Sequence, residues 1–243
     1  MQRPGLAETI KTLAIAGLLA LGIHSFLFQP FWIPSGSMVP SLLVGDYIFV
    51  NKFAYGFSRY SLPFAPPLFH GRIFGHAPRR GDVVVFESPT GSGEILVKRV
   101  IGLPGDSVRL TGGQLYINGR LVPRLAQGRY VDDSDGGPVV VRQFSETLPS
   151  GRAHGILKLT DGGAANDTPV YTVPPGDLFM LGDNRDNSED SRFMDGPVGY
   201  VPEEDVLGAA VFILGSIDLR APAYAVWDWP FELRWSRCFR AVG

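Results

Sequence analysis

Between Thr12 and Gly45 the chain carries no Asp, Glu, Lys or Arg. This charge-free run limits what the rest can fold into. Its first part, Thr12 to Gln29, is 18 residues, which as a helix rises about 27 Å. With a flank from Leu6 it can cross a hydrocarbon core of about 30 Å. Phe26, Phe28, Phe31 and Trp32 stand where an aromatic belt belongs. A cleaved leader would use Ala20-Leu21-Gly22, but that point falls inside an apolar run that continues to Trp32. A buried core helix would not need to be so long and apolar on all sides. The expectation is therefore one retained transmembrane helix over residues 12–29, with His24 interfacial or packed. Arg3 and Lys11 precede the span and the next basic residue is Lys52. Residues 1–11 are then cytoplasmic and the body lies outside.

Directly after the span comes PSGSMVPSL, Pro34 to Leu42. Pro30 and Pro34 break any helix continuing from the membrane. Pro34 and Pro40 fix the local path around Ser37, and Gly36 leaves room for a second chain to approach. Eight residues lead from Gln29 to Ser37, so the serine lies within about 28 Å of the helix end. A serine hydroxyl is a poor nucleophile unless a base removes its proton. The rest of the chain must be searched for that base.

With 22 basic and 24 acidic residues in 243, the formal net charge is −2, which gives no electrostatic case for nucleic acid. Thirty glycines and 20 prolines, with little helical periodicity after residue 30, point to a β-rich body. Cys238 is the only cysteine, excluding an intrachain disulfide. It reads as an inert thiol. The histidines at 24, 70, 76 and 154 show no ligand spacing, so neither a metal nor another cofactor is expected.

Along the chain, Val44 to Phe53 reads as a strand opened by a Gly45-Asp46 turn. Residues 54–80 form a proline- and aromatic-rich surface loop facing the lipid side. Gly81 to Pro89 (GDVVVFESP) is apolar on both faces and reads as a buried strand. In Glu94 to Gly102 (EILVKRVIG), Leu96, Lys98 and Val100 share one face. A lysine between aliphatic neighbours can be neutral near physiological pH. It can equally be an edge-strand lysine that blocks aggregation. Asn118-Gly119 marks a tight hairpin. Residues 123–175 look irregular and are read as an inserted small β subdomain. The acidic run at 132–138 fits no calcium loop and reads as solvated. Asp177 to Leu181 is a strand delivering GDNRDNSEDSR, Gly182 to Arg192, which is either a rigid structural loop or one that forms a site. Val206 to Leu214 is a last buried strand. The tail from Ala221 mixes tryptophans with arginines, suiting either a headgroup interface or an element packed on the body.

No histidine is placed for a Ser-His-Asp arrangement, which leaves lysine as the usual partner of a serine nucleophile. PSGSMVPSL, GDVVVFESP with VKRVIGLPGD, and GDNRDNSEDSR, in this order behind a membrane span, resemble bacterial type I signal peptidase, the leader peptidase family of Ser-Lys proteases. The likeness is close over residues 30–53, 80–106 and 177–215, and weak over 54–79 and 123–175.

The resemblance implies Ser37 as nucleophile and neutral Lys98 as general base. It implies an oxyanion hole from the Ser37 N–H and the Ser35 hydroxyl, with Ser188 bonding Lys98. Asp190 with Arg192 would hold the loop, and Asp183 with Arg99 would brace it. Phe31, Ile33, Pro34, Met38, Leu42, Ile48, Val85, Leu96 and Val97 match positions lining the family's shallow S1 and S3 pockets. The implied fold is mainly β: an antiparallel core resembling a partly opened barrel, its parts at 30–122 and 176–243 flanking the insertion. The implied partners are membrane lipid and preprotein signal peptides ending in Ala-x-Ala as they leave the export machinery. The implied place is the bacterial cytoplasmic membrane, single-pass, with the catalytic domain on the outer side. The chain departs from the family in showing one span where many relatives have two, in lacking a cysteine pair in the insertion, and in Leu96, where the best-known relatives have tyrosine. A self-cleaving repressor of the SOS type shares the Ser-Lys chemistry but needs a helix-turn-helix upstream, where this chain has the apolar span. A membrane-tethered β-module for binding peptides would not need Ser37, Lys98 and Ser188 together. A peptidase specialised for one substrate is a third reading.

Overall fold

The computed structural model describes residues 28–61, 71–134, 137–218 and 232–242, together with Gly5, residues 8–12 and Ile15. Strands β1 (Phe28–Trp32) and β2 (Asp46–Asn51) form a wide hairpin, followed by β3 (Val83–Glu87) and β4 (Ile95–Gly102). β5 (Ser107–Thr111), β6 (Gln114–Ile117) and β7 (Arg120–Leu121) make a meander. β8 (Arg124–Asp132), β9 (Val139–Thr147) and β10 (Ala153–Lys158) form a separate three-stranded sheet. β11 (Tyr171–Thr172) pairs with β5, and β12 (Asp177–Leu181), β13 (Tyr200–Pro202), β14 (Val206–Ser216) and β15 (Arg240–Ala241) complete the largest sheet. That sheet runs β1-β2-β14-β3-β4-β12-β13 with β15 on β14. All its pairs are antiparallel and it curls into a half-barrel, which bears out the expected fold class.

The sequence explains the curl. Val83 to Phe86 in β3 are at most 4% exposed. Val83 and Val85 pack in one apolar cluster with Ile48 and Ile213, and Val84 and Phe86 in another with Val100 and Met180. Each such side chain contributes about 1.5–3 kcal/mol by leaving water, so a charge at Val84 would break the sheet at its centre. β14 spans β2, β3 and β15 with register shifts, and such bulges bend a long strand. At Gly208 an added Cβ would lie 2.4 Å from the Asn51 carbonyl oxygen, so only glycine allows that approach.

Two expectations need adjusting. Residues 123–175 are more regular than the sequence suggests, since β8 and β9 are nine residues each. The alternation was hidden because much of β8 and β9 is solvated: Leu125, Val131 and Val140 are 57–69% exposed. Residues 28 and 29, expected to end the membrane helix, instead open β1. The rest of that helix, apart from Thr12 and Ile15, lies outside the described residues. Among the described residues no helix is long and apolar enough to cross a membrane.

The described part of the tail packs on the body. Arg237 donates to buried Asp46 through Nε (3.1 Å) and Nη2 (2.6 Å), while Trp235 and Phe239 face solvent.

Candidate active site

Ser37 sits on a single 3₁₀ turn, Gly36–Met38, within the excursion between β1 and β2. The base of that excursion is closed by Ile33 N to the Asp46 carbonyl (2.9 Å) and Gly45 N to the Ile33 carbonyl (3.0 Å). Arg237 also donates to the Ser41 carbonyl at 3.0 Å. Met38 and Leu42, nearly solvent-free, root the turn in the core. The half-buried Ser37 is thus held by packing beneath and hydrogen bonds behind.

Lys98 reaches it from the middle of β4. Its Nζ donates to Ser37 Oγ at 2.8 Å. Leu96 and Val100 flank it on its own face and Val84 is its cross-strand partner. Lys98 is 4% exposed, and burial pushes its pKa below the ordinary lysine value. The Asp190 charge opposes that shift, and the Arg192 charge reinforces it. Among the described residues no carboxylate forms an ion pair with it, so the structure favours the desolvated lysine over the edge-strand one. Ser35, exposed, has its hydroxyl 3.5 Å from that of Ser37.

The 182–192 loop closes the arrangement. Asp183 receives a two-pronged contact from Arg99, Nε to Oδ1 at 2.8 Å and Nη2 to Oδ2 at 2.7 Å, and Arg99 also donates to the Gly81 carbonyl. Ser41 donates to the same carboxylate. Burial would raise the Asp183 pKa, but the Arg99 charge and these donors hold it below the ordinary value. Asp190 is likewise lowered against burial by Arg192 and the Gly182 N–H, with Arg192 Nε 2.7 Å and Nη2 2.8 Å from its oxygens. Both expected braces are therefore formed. The expected bond from Ser188 to Lys98 is not. Ser188 lines the same cleft, but its Oγ is buried without a hydrogen-bond partner among the described residues. It is tucked against Gly182, where an added Cβ would come within 2.2 Å of that oxygen and 2.6 Å of the Ser37 carbonyl.

Sequence reasoning missed how the insertion grips this loop. β10 bridges to it: Leu157 N donates to the Asp183 carbonyl (2.9 Å) and Arg185 N to the Leu157 carbonyl (3.1 Å). Glu146 on β9 forms a buried pair with Arg185. Lys158 on β10, fully buried, donates to Asp186 (2.9 Å) and to Asn166. Asp132, read as part of a solvated run, is 8% exposed and accepts from Asn184 at 2.6 Å. No signal for these pairs existed in either segment alone, because each charged group is bonded by a residue tens of positions away.

A cleft of about 410 Å³ opens at the dyad, lined by Ser35, Ser37, Leu96, Lys98, Ser188 and Phe193 among others. Of the nine candidate pocket residues, Leu96 alone lines it. Ile33, Met38, Leu42, Ile48 and Val85 are core side chains, at most 3% exposed, with Phe31 and Val97 packed against them. Pro34 is exposed on the approach to Ser37.

A hydroxyl bonded to a buried amine, with no acid on that amine, is suited to nucleophilic attack on an acyl carbon. The family described as "Signal peptidase, peptidase S26" matches residues 6–215. The chain is 44% identical over 203 residues to a signal peptidase I of Rickettsia typhi, covering 80% of this chain and 75% of that one. It is 42% identical over 215 residues to a signal peptidase I of Rickettsia canadensis, covering 85% and 79%. Against a crystal structure of a signal peptidase I from Enterococcus faecalis the identity is 27% and the TM-score 0.32, covering 55% of this chain and 97% of that one.

Proposed function

This chain belongs to the signal peptidase family, peptidase S26, and on that premise we propose that it removes N-terminal signal peptides from exported preproteins with Ser37 as nucleophile and Lys98 as base. The observation that carries the proposal is the 2.8 Å contact between Lys98 Nζ and Ser37 Oγ, made by an amine whose pKa burial has lowered. Ser37 Oγ attacks the scissile carbonyl carbon and its proton passes to Lys98 Nζ. The Ser37 N–H and the Ser35 hydroxyl stabilise the oxyanion. On collapse, Lys98 returns the proton to the leaving amine. Water, deprotonated by the same amine, then hydrolyses the acyl-enzyme.

Small residues at P1 and P3, as in Ala-x-Ala, are what the family likeness implies; of the matched positions Leu96 lines the cleft, while Ile33, Met38, Leu42, Ile48 and Val85 are core side chains with Phe31 and Val97 packed against them. Anchoring in the bacterial cytoplasmic membrane, with the active site outside, is supported by the charge-free run with basic residues only before it. The short tether to Ser37 keeps the cleft near the surface where a signal-peptide end emerges.

The test is incubation of the purified full chain, in detergent, with a preprotein, followed by mass spectrometry. Cleavage after a small-x-small sequence is expected, and none with Ser37→Ala. Equal cleavage by Ser37→Ala would overturn the assignment.

A further inference from the structure

The oxyanion donor proposed above is a backbone N–H, and the orientation of a backbone N–H is fixed by its peptide plane. The Ser37 N–H belongs to the same planar unit as the Gly36 carbonyl, the two pointing in opposite directions. Whatever holds the Gly36 oxygen therefore aims the Ser37 N–H. That oxygen accepts two bonds, one from Val39 N within the turn (3.1 Å) and one from Asn184 Nδ2 (3.1 Å). The backbone N of Asn184 also donates to the Ser37 carbonyl at 3.1 Å. One residue of the 182–192 loop thus holds the peptide oxygens on both sides of the nucleophile.

The side-chain amide of Asn184 could face either way, and only one way is useful. With Nδ2 toward Gly36 it donates; with Oδ1 there, two oxygens would face each other. The other Nδ2 hydrogen goes to Asp132 Oδ2 at 2.6 Å. Asp132 is held in turn by the Ser134 N–H (3.1 Å) and hydroxyl (2.7 Å). A carboxylate only accepts, so the end of the amide facing Asp132 must be the NH₂. Asn184 is 3% exposed and Asp132 8%, leaving little water to substitute for either.

We propose that Asp132, at the end of β8 in the insertion, is a positioning residue for the oxyanion hole. It sets the orientation of the Asn184 amide, which holds the Gly36–Ser37 peptide with its N–H toward the developing negative charge. The proposal deepens the peptidase reading and rests on it. It also gives the insertion sheet a part in the reaction.

An oxyanion donor acts on the transition state more than on bound substrate. Loss of a whole donor costs roughly 10²–10³-fold in kcat, so loss of its orientation should cost less. In the full-length enzyme, Asp132→Leu should lower kcat by about 10–50-fold with KM within about twofold. Binding of a peptide aldehyde, which forms a tetrahedral adduct on Ser37, should weaken by a similar factor. Binding of an uncleavable peptide should not change. Asp132→Asn keeps an accepting oxygen and should recover most of the lost kcat. If Asp132→Leu does not fold, as judged by circular dichroism, Asp132→Ser carries the same measurement. A kcat equal to wild type overturns the proposal. So does a loss appearing in KM and in both ligands alike, which would mean a merely structural role. The peptidase reading itself is judged separately, by whether the wild-type enzyme cleaves and Ser37→Ala does not.

Discussion

Two of the lysines buried in this molecule, Lys98 and Lys158, are buried differently. Lys98, in the cleft, faces a hydroxyl and has no ion-pair partner among the described residues. Lys158, where the insertion meets the 182–192 loop, donates to the Asp186 carboxylate and to Asn166. Burial lowers the pKa of both. At Lys158 the hydrogen bond and charge of Asp186 oppose the shift directly. At Lys98 the carboxylate whose charge most opposes the shift, Asp190, is already engaged by Arg192 and the Gly182 N–H. Desolvation alone therefore does not make a base. A base needs its neighbouring acids to be occupied elsewhere, as the Asp183–Arg99 and Asp190–Arg192 pairs ensure here.

The largest way to break this comparison is at Lys98. Lys98→Met should abolish cleavage, by about 10⁴-fold or more in kcat, without unfolding the chain. Stability should rise by about 1 kcal/mol or more at neutral pH, because a poorly compensated buried amine is replaced by an apolar chain. The sign follows from linkage. The folded pKa is lowered, so between it and the unfolded value of about 10.4 the unfolded state binds the extra proton. In that window wild-type stability increases with pH, and Lys98→Met should lose that dependence. The wild-type rate should climb with pH through the same lowered pKa when chemistry is limiting. Urea titrations and a pH–rate profile check both; a flat profile would mean that the amine is not the base.

Lys158→Met should do the reverse. It leaves Asp186 without its cation, although the Leu159 N–H (2.7 Å) and Asn166 (2.8 Å) still donate to that carboxylate. Breaking a buried pair from one side costs about 3–5 kcal/mol, and these remaining donors place the expected loss near ~3 kcal/mol. The urea midpoint should fall while kcat changes far less than in Lys98→Met. A stable variant that has lost activity would show that Lys158 serves the chemistry and not the fold.

The same contrast explains what the sequence allowed to be read. β3 was legible because four apolar residues in a row have few other uses, and β4 because Lys98 interrupts an aliphatic face. The Asn118-Gly119 hairpin was legible from its turn chemistry. It is formed, with both residues at positive φ (52° and 73°). Asp183 with Arg99 and Asp190 with Arg192 could be paired in advance only through the family resemblance. Lys158, Glu146 and Asp132 were not legible. Each lies in a segment whose own pattern says exposed or irregular, and each is buried only because the 182–192 loop brings the complementary group. The bond expected from Ser188 to Lys98 was not formed; Ser188 Oγ sits against Gly182 instead.

His154 on β10 is another buried basic group and sharpens the comparison with the smallest effect. Neither ring nitrogen has a hydrogen-bond partner among the described residues. Nε2 lies 3.5 Å from Glu146 and 3.9 Å from Asp183. Those carboxylates are already taken by Arg185 and Arg99, so burial prevails and the pKa falls to about 4. The unfolded chain takes up a proton near pH 6.5 and the folded one does not until about pH 4. Stability should therefore fall as pH drops through that interval, by at most about 1.4 kcal/mol per pH unit from this residue. His154→Gln should remove that part of the slope between pH 7 and 5 while leaving the midpoint at pH 7 little changed. If the wild-type and variant slopes coincide, the imidazole takes up its proton in the fold over the same interval as in the unfolded chain, and the Glu146 and Asp183 carboxylates are less fully engaged by their arginines than the distances imply. Lys98 would then lose its clearest parallel for a base kept neutral by acids that are bonded elsewhere.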